Sequence, residues 1–407
     1  YYHAQGLFLF ASELKSFHEH PGFARDLDLN SLSLYFKYAC IPEPYAIFKN
    51  TAKLKPGTWL EYDLQHHTLS EHVYWDPLEI SRQPKLEISY EQAREQLKKL
   101  FTSAFTYRLV SDVPLGLFLS GGYDSSLVAA VLQRSTSQTL KTFTIGFHED
   151  EHNEARQARN VARLLDTDHT EYICTHRDAR DILPQLPQIY DEPFADASAI
   201  PTHLVSRLAR DKVTVALSAD GGDEIFGGYT RIQRALRNTK AAERFAPFLW
   251  RIAGAPLSAL KPLLKPCSML EFKRKYAALL AEEGLSRRKN LELCIYNEYD
   301  DDIPALLPGL HKVAPSLFDD PRYDSLHDTI DMMLCLEYQT YLPGDILTKV
   351  DRASMAASLE ARDPLLDHRI YEFAARLPSD YKVRGRMLKR ILKDITHEYL
   401  PPALMQR

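Results

Sequence analysis

Three carboxylates and four glycines crowd the stretch Ser218-Ala219-Asp220-Gly221-Gly222-Asp223-Glu224-Ile225-Phe226-Gly227-Gly228-Tyr229, directly after the apolar run Val213–Leu217. Like charges packed this closely make a poor structural turn. They make a good site for a hard divalent cation such as Mg²⁺, which takes oxygen ligands and shares them with phosphates. A second run, Ser120-Gly121-Gly122-Tyr123-Asp124-Ser125-Ser126, lies between apolar Val113–Leu119 and amphipathic Leu127–Gln133. That order reads as strand, glycine turn, helix. The glycines let successive N–H groups face one concavity, and the helix start adds its own unpaired N–H groups. The product is a cradle for phosphate. It is not a Walker loop, because no Gly-Lys-Ser/Thr follows the glycines. Taken alone, the acidic stretch also reads as a solvated turn; beside a phosphate loop at a neighbouring strand end, it reads as a cation site.

The elements that must position these loops are legible in outline. Val113–Leu119, Thr142–Phe147, His169–Cys174 and Val213–Leu217 are short apolar or β-branched runs. Helical stretches separate them; Ala155, Ala158, Val161, Ala162 and Leu165 form one apolar face at helical spacing. Short buried strands alternating with helices predict an α/β fold with a parallel sheet and right-handed crossovers. Ligands of such sheets bind beyond the carboxyl ends of the strands. Residues 1–77 instead alternate apolar runs (Leu7–Ala11, Thr58–Tyr62, His66–Trp75) with turns, a β-rich unit with too few strands to close a core alone. Residues 78–92 read as a linker, 93–230 as the nucleotide-binding α/β part and 231–407 as mostly helical.

Other stretches carry two readings each. Phe143–Phe147 is a core strand whose exit glycine, Gly146, permits close approach of a flat base. Asp191-Glu192-Pro193-Phe194-Ala195-Asp196-Ala197-Ser198 either caps the helix that begins near Ala199 or lines an acceptor pocket with Asp191 and Glu192. Thr348-Lys349-Val350-Asp351-Arg352-Ala353-Ser354 supplies structural ion pairs or, through Asp351 and Arg352, acceptor contacts. His148, His152 and His169 lack ligand spacing, so no metal site is read there.

Composition narrows the function classes. A net charge of −5 over 407 residues argues against a nucleic-acid partner bound through bulk charge. The five cysteines, Cys40, Cys174, Cys267, Cys294 and Cys335, are odd in number and never form a C-x-x-C pair, so they read as reduced core residues of a cytoplasmic protein. The best apolar stretch, Phe245 to Leu257, is broken by Arg251 and is too short to span a membrane. The partners expected are small molecules, and a homodimer is compatible with the sequence.

Together these motifs resemble the glutamine-hydrolysing asparagine synthetases, in the branch with Leu-Ser-Gly-Asp-Gly-Gly-Asp-Glu. The Ser-Gly-Gly-x-Asp-Ser loop is similar to the pyrophosphate loop of ATP pyrophosphatases. Phe10–Lys15 and Leu54–Gly57 through Trp75 resemble the late part of the glutaminase domain, an N-terminal-nucleophile fold; Thr144–Phe147, Asp191–Phe194, Asp223–Tyr229 and Ser354–Arg362 follow in family order.

The resemblance implies a set of roles. Ser120, Gly121, Gly122, Asp124 and Ser125 would hold the β and γ phosphates of ATP. Leu119, Ile145, Ser218 and Ala219 would frame adenosine, and Asp124 and Asp223 would bind Mg²⁺. Asp220 stands at the family's acidic position for acyl-adenylate formation, and Lys389 matches a family lysine. The implied reaction activates the β-carboxylate of aspartate with ATP, releases pyrophosphate, and lets ammonia from glutamine displace AMP.

Four departures accompany the resemblance. Ala219 replaces a glycine beside adenosine, which would weaken ATP binding, and Asp363 replaces an apolar residue. Tyr1 stands first where the family's glutaminase has a nucleophilic cysteine. The chain stops at Arg407, just before a family L-x-R-x-K-x-G-F segment whose lysine serves amide formation. Alternatives are a relative acting on a uronic-acid sugar or closing a β-lactam ring, a non-catalytic ATP-binding piece, and another ATP pyrophosphatase such as a GMP synthetase or a tRNA thiolation enzyme.

Overall fold

The computed structural model describes residues 1–148, 154–244, 286–296, 303–304, 306–310 and 312–405. His152, Cys267, the Phe245–Leu257 run with Arg251, and the final Gln406 and Arg407 lie outside the described residues.

Two antiparallel hairpins open the chain, β1 (Tyr2–Ala4) with β2 (Leu7–Leu9) and β3 (Thr58–Asp63) with β4 (Thr68–Val73). They meet through Phe8 and Tyr62, whose rings stack at 4.3 Å. The small core beneath them is Tyr2, Phe17 and Phe23, in keeping with a unit too small to close by itself. A helix, Leu29–Tyr38, stands in this otherwise β-rich region. Asp28 caps it, accepting the Asn30 and Ser31 N–H groups. It buries Leu34 and Tyr38 against Leu307, Leu310 and Val313 of the later part of the chain.

Residues 77–81, inside the expected linker, form a helix instead of a free tether. Asp76 caps it, Pro77 takes the first turn, where a missing N–H costs nothing, and Leu78 is buried. Ser81 and Tyr371 join hydroxyls at 3.0 Å, so the segment is part of the packed body. The Tyr90–Tyr107 helix follows behind a reciprocal Ser89–Gln92 cap.

The centre is a five-stranded parallel sheet in the order β7-β6-β5-β8-β9. Its strands are β5 (Leu115–Phe118), β6 (Lys141–Phe147), β7 (Asp168–Cys174), β8 (Val215–Leu217) and β9 (Glu360–Arg362). The first four fall on the runs expected from the sequence. β9 does not: it lies in the region expected to be helical and pairs with β8 in the register Val215↔Glu360. Alternation along the strands feeds two cores. Leu117 and Leu217 face the Tyr90–Tyr107 and Tyr123–Ser135 helices, with Phe101, Phe105 and Val128. Phe143 and Ala216 face the Ala199–Arg210 helix, with Val205 and Ala209. Both faces are therefore covered, as a parallel sheet requires. Cys40, Cys174, Cys294 and Cys335 are buried and unpaired.

Candidate active site

The chain runs from β5 outward to β6 and β7, then returns past β5 to β8 and β9. Strand order thus reverses at β5 and β8, and the crevice beyond their carboxyl ends is where such sheets hold ligands. The Ser120 loop leaves β5 and the Ser218 loop leaves β8. Between them is a cleft of about 660 Å³. It is lined by Leu119, Ser120, Gly122, Asp124, Ser125, Ile145, Ser218, Ala219, Asp220 and Asp223, among others. Of the residues expected to hold ATP and its cation, only Gly121 is not on the wall. Gly121 makes the turn itself: its φ is +75°, and a side chain there would meet the Ala158 backbone nitrogen at 2.6 Å.

Serine hydroxyls hold the phosphate loop in shape. Ser125 Oγ accepts the Ser120 N–H at 3.2 Å, the two hydroxyls are 3.0 Å apart, and Ser120 Oγ accepts the Gly122 N–H at 3.2 Å. The loop closes onto the Tyr123–Ser135 helix, which begins at Gly122 with no side-chain cap. Its first N–H groups are therefore open to an anion. Thr144 ties the loop to β6 by donating its hydroxyl to the Leu119 carbonyl.

The two loops touch. A Cβ placed on Gly222 would fall on the Asp124 carboxylate, and one on Gly228 would collide with Asp223 and Lys389. Lys389 joins them: its ammonium pairs with Asp124 and lies 2.6 Å from Asp223 Oδ1. Burial opposes the lysine's charge, but the two carboxylates overcome it and hold its pKa above the usual value. Asp124 is pushed up to about 6, by burial first, then by Asp223 and Asp220, against the pull of Lys389. Asp220 is also raised by burial, although the Ser218 hydroxyl it accepts and the Lys349 charge oppose this. Asp363, at the exit of β9, is buried beside Asp220 and raised well above the carboxylate range by burial and by that neighbour. Ala219 lines the cleft and also packs on the main core.

The donor set suits Mg²⁺. Buried Asp124 Oδ1 has no hydrogen-bond partner, and Asp223 is 35% open to solvent. Among the described residues no group of three or more His, Cys, Asp or Glu side chains is placed to hold a metal. A cation here would complete its shell with phosphate and water, as Mg²⁺ commonly does. His169 bonds Thr142 at 2.9 Å inside the sheet.

The acceptor-pocket candidates take a different place. Glu192 pairs with Lys53 and accepts the Ile47 N–H at 3.2 Å. Asp191 accepts the Lys15 N–H at 3.2 Å. Arg352 donates to the Ser12 carbonyl at 2.9 Å and pairs with Asp351. Asp191, Glu192 and Arg352 bind the first 77 residues to the rest of the chain instead of lining the ATP cleft, and Asp351 is exposed beside them; this corrects the expectation. What reaches the cleft from the same two stretches is Ser198, with Asp196 and Lys349 behind it. Lys349 Nζ lies 2.7 Å from Asp196 and 2.8 Å from Ser198. Ser198 makes no helix cap; it donates to Asp196 instead.

Sequence reasoning quoted Glu224 and Tyr229 in a motif without giving them roles. Both line the cleft, with the Tyr229 hydroxyl 2.6 Å from Glu224, whose carboxyl is pushed by burial to about 8. Arg231 sits between the Tyr229 and Tyr341 rings at 3.9 and 4.4 Å and pairs with fully buried Glu337 at 2.6 Å. A lysine on the buried face of a helix (Lys349) and a carboxylate in mid-helix (Glu337) were the available signals.

Comparison with known proteins agrees with this geometry. The asparagine synthase family model matches residues 96–407, and the glutamine amidotransferase domain model matches residues 1–75. A Methanocaldococcus jannaschii relative whose name includes glutamine-hydrolyzing asparagine synthetase 2 is 38% identical over 87% of this chain and 67% of its own. Glutamine-hydrolyzing asparagine synthetase 1 of Bacillus subtilis is 26% identical over 94% of this chain and 58% of its own. The chain thus spans about three-fifths to two-thirds of the length of these relatives. Among solved structures, an NH3-dependent NAD synthetase from Campylobacter jejuni aligns with a TM-score of 0.25 and 12% identity, covering 49% of this chain and 99% of that one. No described helix is long and apolar enough to cross a membrane. With its family match extending over the whole parallel-sheet part and both loops of the cleft, the chain belongs to the asparagine synthase family.

Proposed function

We propose that this chain carries the ATP-using half of a glutamine-dependent carbon–nitrogen ligase, and that its reaction is the synthesis of asparagine from aspartate. The observation that carries the reading is the junction of Asp124, Gly222, Asp223 and Lys389, where a phosphate loop and an acidic loop close on one point at the switch of strand order.

In this reading ATP lies across the cleft, with adenosine against Leu119, Ile145 and the Ser218–Ala219 backbone. Its β and γ phosphates rest on Ser120–Gly122 and Ser125. Asp124 and Asp223 would hold Mg²⁺, which when bound offsets the charge of the pyrophosphate. An oxygen of the aspartate β-carboxylate attacks the α phosphorus. The bond from that phosphorus to the bridging oxygen breaks, and pyrophosphate leaves with the electron pair. The helix-start N–H groups and the Lys389 ammonium are in place before the reaction to receive that charge, which is how preorganised sites lower a barrier. Ammonia then attacks the acyl carbon, AMP departs with the bonding electrons, and the nitrogen gives up a proton. Asp220, raised by burial and set beside Ser218, faces the α-phosphate end. The asparagine synthetase names of the relatives support aspartate as acceptor.

The test is exchange of labelled pyrophosphate into ATP with aspartate, and separately with uronic acids. Exchange that depends on aspartate supports the reading. Exchange with a uronic acid but not aspartate moves the acceptor to a sugar acid, and no exchange with either, in the presence of Mg²⁺, removes adenylation from this chain.

A further inference from the structure

One cation beside the cleft has no role in the reading above. The Arg390–Thr396 helix starts from Lys389, and the next turns place Lys393 and His397 above it. The Lys393 N–H donates to the Lys389 carbonyl at 2.8 Å, and the His397 N–H to the Lys393 carbonyl at 2.9 Å. Positions four apart on a helix share a face, so the three side chains form a ladder leading away from Asp124 and Asp223. The facing element is the start of the phosphate-loop helix. Lys393 Nζ lies 5.0 Å from the centre of the Tyr123 ring, and the Tyr123 hydroxyl is 3.1 Å from His397 Nε2. Tyr123 is the variable position of the Ser-Gly-Gly-x-Asp-Ser loop, so this ladder borders the phosphate cradle directly.

Lys389 is satisfied by two carboxylates; Lys393 is not. Among the described residues it forms no ion pair, and it is half-buried. Burial and the nearby Lys389 charge both weaken its hold on its proton, with Asp124 and Asp223 opposing. A half-buried ammonium held by a ring face beside a second ammonium is relieved by an anion between them. One helical turn advances about 5.4 Å, a step suited to passing from one phosphate to the next.

We propose that Lys393, steadied by Tyr123 and flanked by His397, receives the outer phosphate of the leaving pyrophosphate and marks the side by which it departs. This rests on the adenylation reading, since only that reaction supplies pyrophosphate here.

The test is calorimetric titration of the whole chain with Mg²⁺-pyrophosphate and, in parallel, with AMP. Losing one charge-assisted contact is expected to weaken pyrophosphate binding about ten-fold in Lys393→Ala, with AMP affinity moving by less than about two-fold. Lys393→Met keeps most of the stem against Tyr123, so a matching loss there assigns the effect to charge and not to misfolding. Lys393→Arg is expected to restore most of the affinity. Pyrophosphate binding as tight in Lys393→Met as in the parent chain overturns the proposal and leaves the adenylation reading standing. Absence of pyrophosphate binding by the parent chain overturns that reading, and this one with it.

Discussion

Lys389 and Asp223 meet at 2.6 Å, and the same ammonium pairs with Asp124, so one buried cation ties the loop after β5 to the loop after β8. Without it the two carboxylates would face each other at the floor of the cleft. Lys389→Met keeps the stem and removes the charge. Pyrophosphate–ATP exchange is expected to fall by about a hundred-fold or more, the scale seen when one preorganised charge-stabilising group is lost. The far-ultraviolet circular dichroism is expected to stay that of the parent, because Asp124, already raised to about 6, can take a proton and relieve the repulsion. Exchange within a few-fold of the parent would show that Lys389 only braces the loops.

Gly222 and Asp124 define the closest approach of the two loops. A methyl group at Gly222 would occupy the place of the Asp124 carboxylate, although the Gly222 backbone itself is not in the left-handed region. Gly222→Ala is therefore expected to displace Asp124 and weaken Mg²⁺-ATP binding at least about ten-fold by calorimetry, the range of one lost charged contact. The same substitution at Gly385, where nothing lies within 4 Å of the added atom, is the comparison for effects unrelated to the cleft. Equal affinities in the two variants would mean that the loops have room to part.

How far all this could be read beforehand depends on the range of the interactions. The four central strands and both loops were legible because short apolar runs alternate with helical faces, and glycine with carboxylate is a local signal. β9 escaped because three residues, Glu360–Arg362, are too few to show a period, and its pairing with Val215–Leu217 is decided by the fold. The Leu29–Tyr38 helix carried a cap signal in Asp28, but it sat among strands and took the same reading as they did. The Lys349–Asp196 pair spans 153 positions of the chain and has no local signature. Glu192 was misplaced for a related reason: a polar residue in a loop looks the same whether it faces a ligand or another part of the protein.

The Lys349–Asp196 pair also predicts a dependence on acid. Burial works against the Asp196 charge, but the Lys349 ammonium and the Ser198 hydroxyl and N–H outweigh it and bring the carboxyl down to about 2. A carboxyl depressed on folding stabilises the folded state above its ordinary pKa of 3.8, and that contribution is lost as pH falls toward the folded value. The window is about pH 4 down to about pH 2, and the loss is about 2 kcal/mol at 1.36 kcal/mol per unit. Asp196→Asn is expected to be less stable than the parent at about pH 6, with the gap closing toward about pH 2. Urea unfolding midpoints at several pH values measure it; a gap independent of pH would mean the pair contributes by packing alone.

The seam between the first 77 residues and the rest is held by Glu192, with Lys53 and the Ile47 N–H as partners, and by Asp191 and Arg352 reaching Lys15 and Ser12. The Glu192 carboxylate is 10% exposed and Lys53 is 24% exposed, so removing the acid strands a cation and an N–H in a poorly solvated place. Glu192→Ala is expected to cost about 2–3 kcal/mol at the seam, while Glu192→Gln, which keeps an acceptor for Ile47, costs less. Limited proteolysis is the readout, with faster release of the amino-terminal unit in Glu192→Ala than in Glu192→Gln. ATP affinity is expected to stay within about two-fold, because neither Glu192 nor its partners line the cleft and contributions from separate sites are close to independent. A variant that sheds no fragment but loses ATP or aspartate binding would return Glu192 to the acceptor pocket and remove it from the seam.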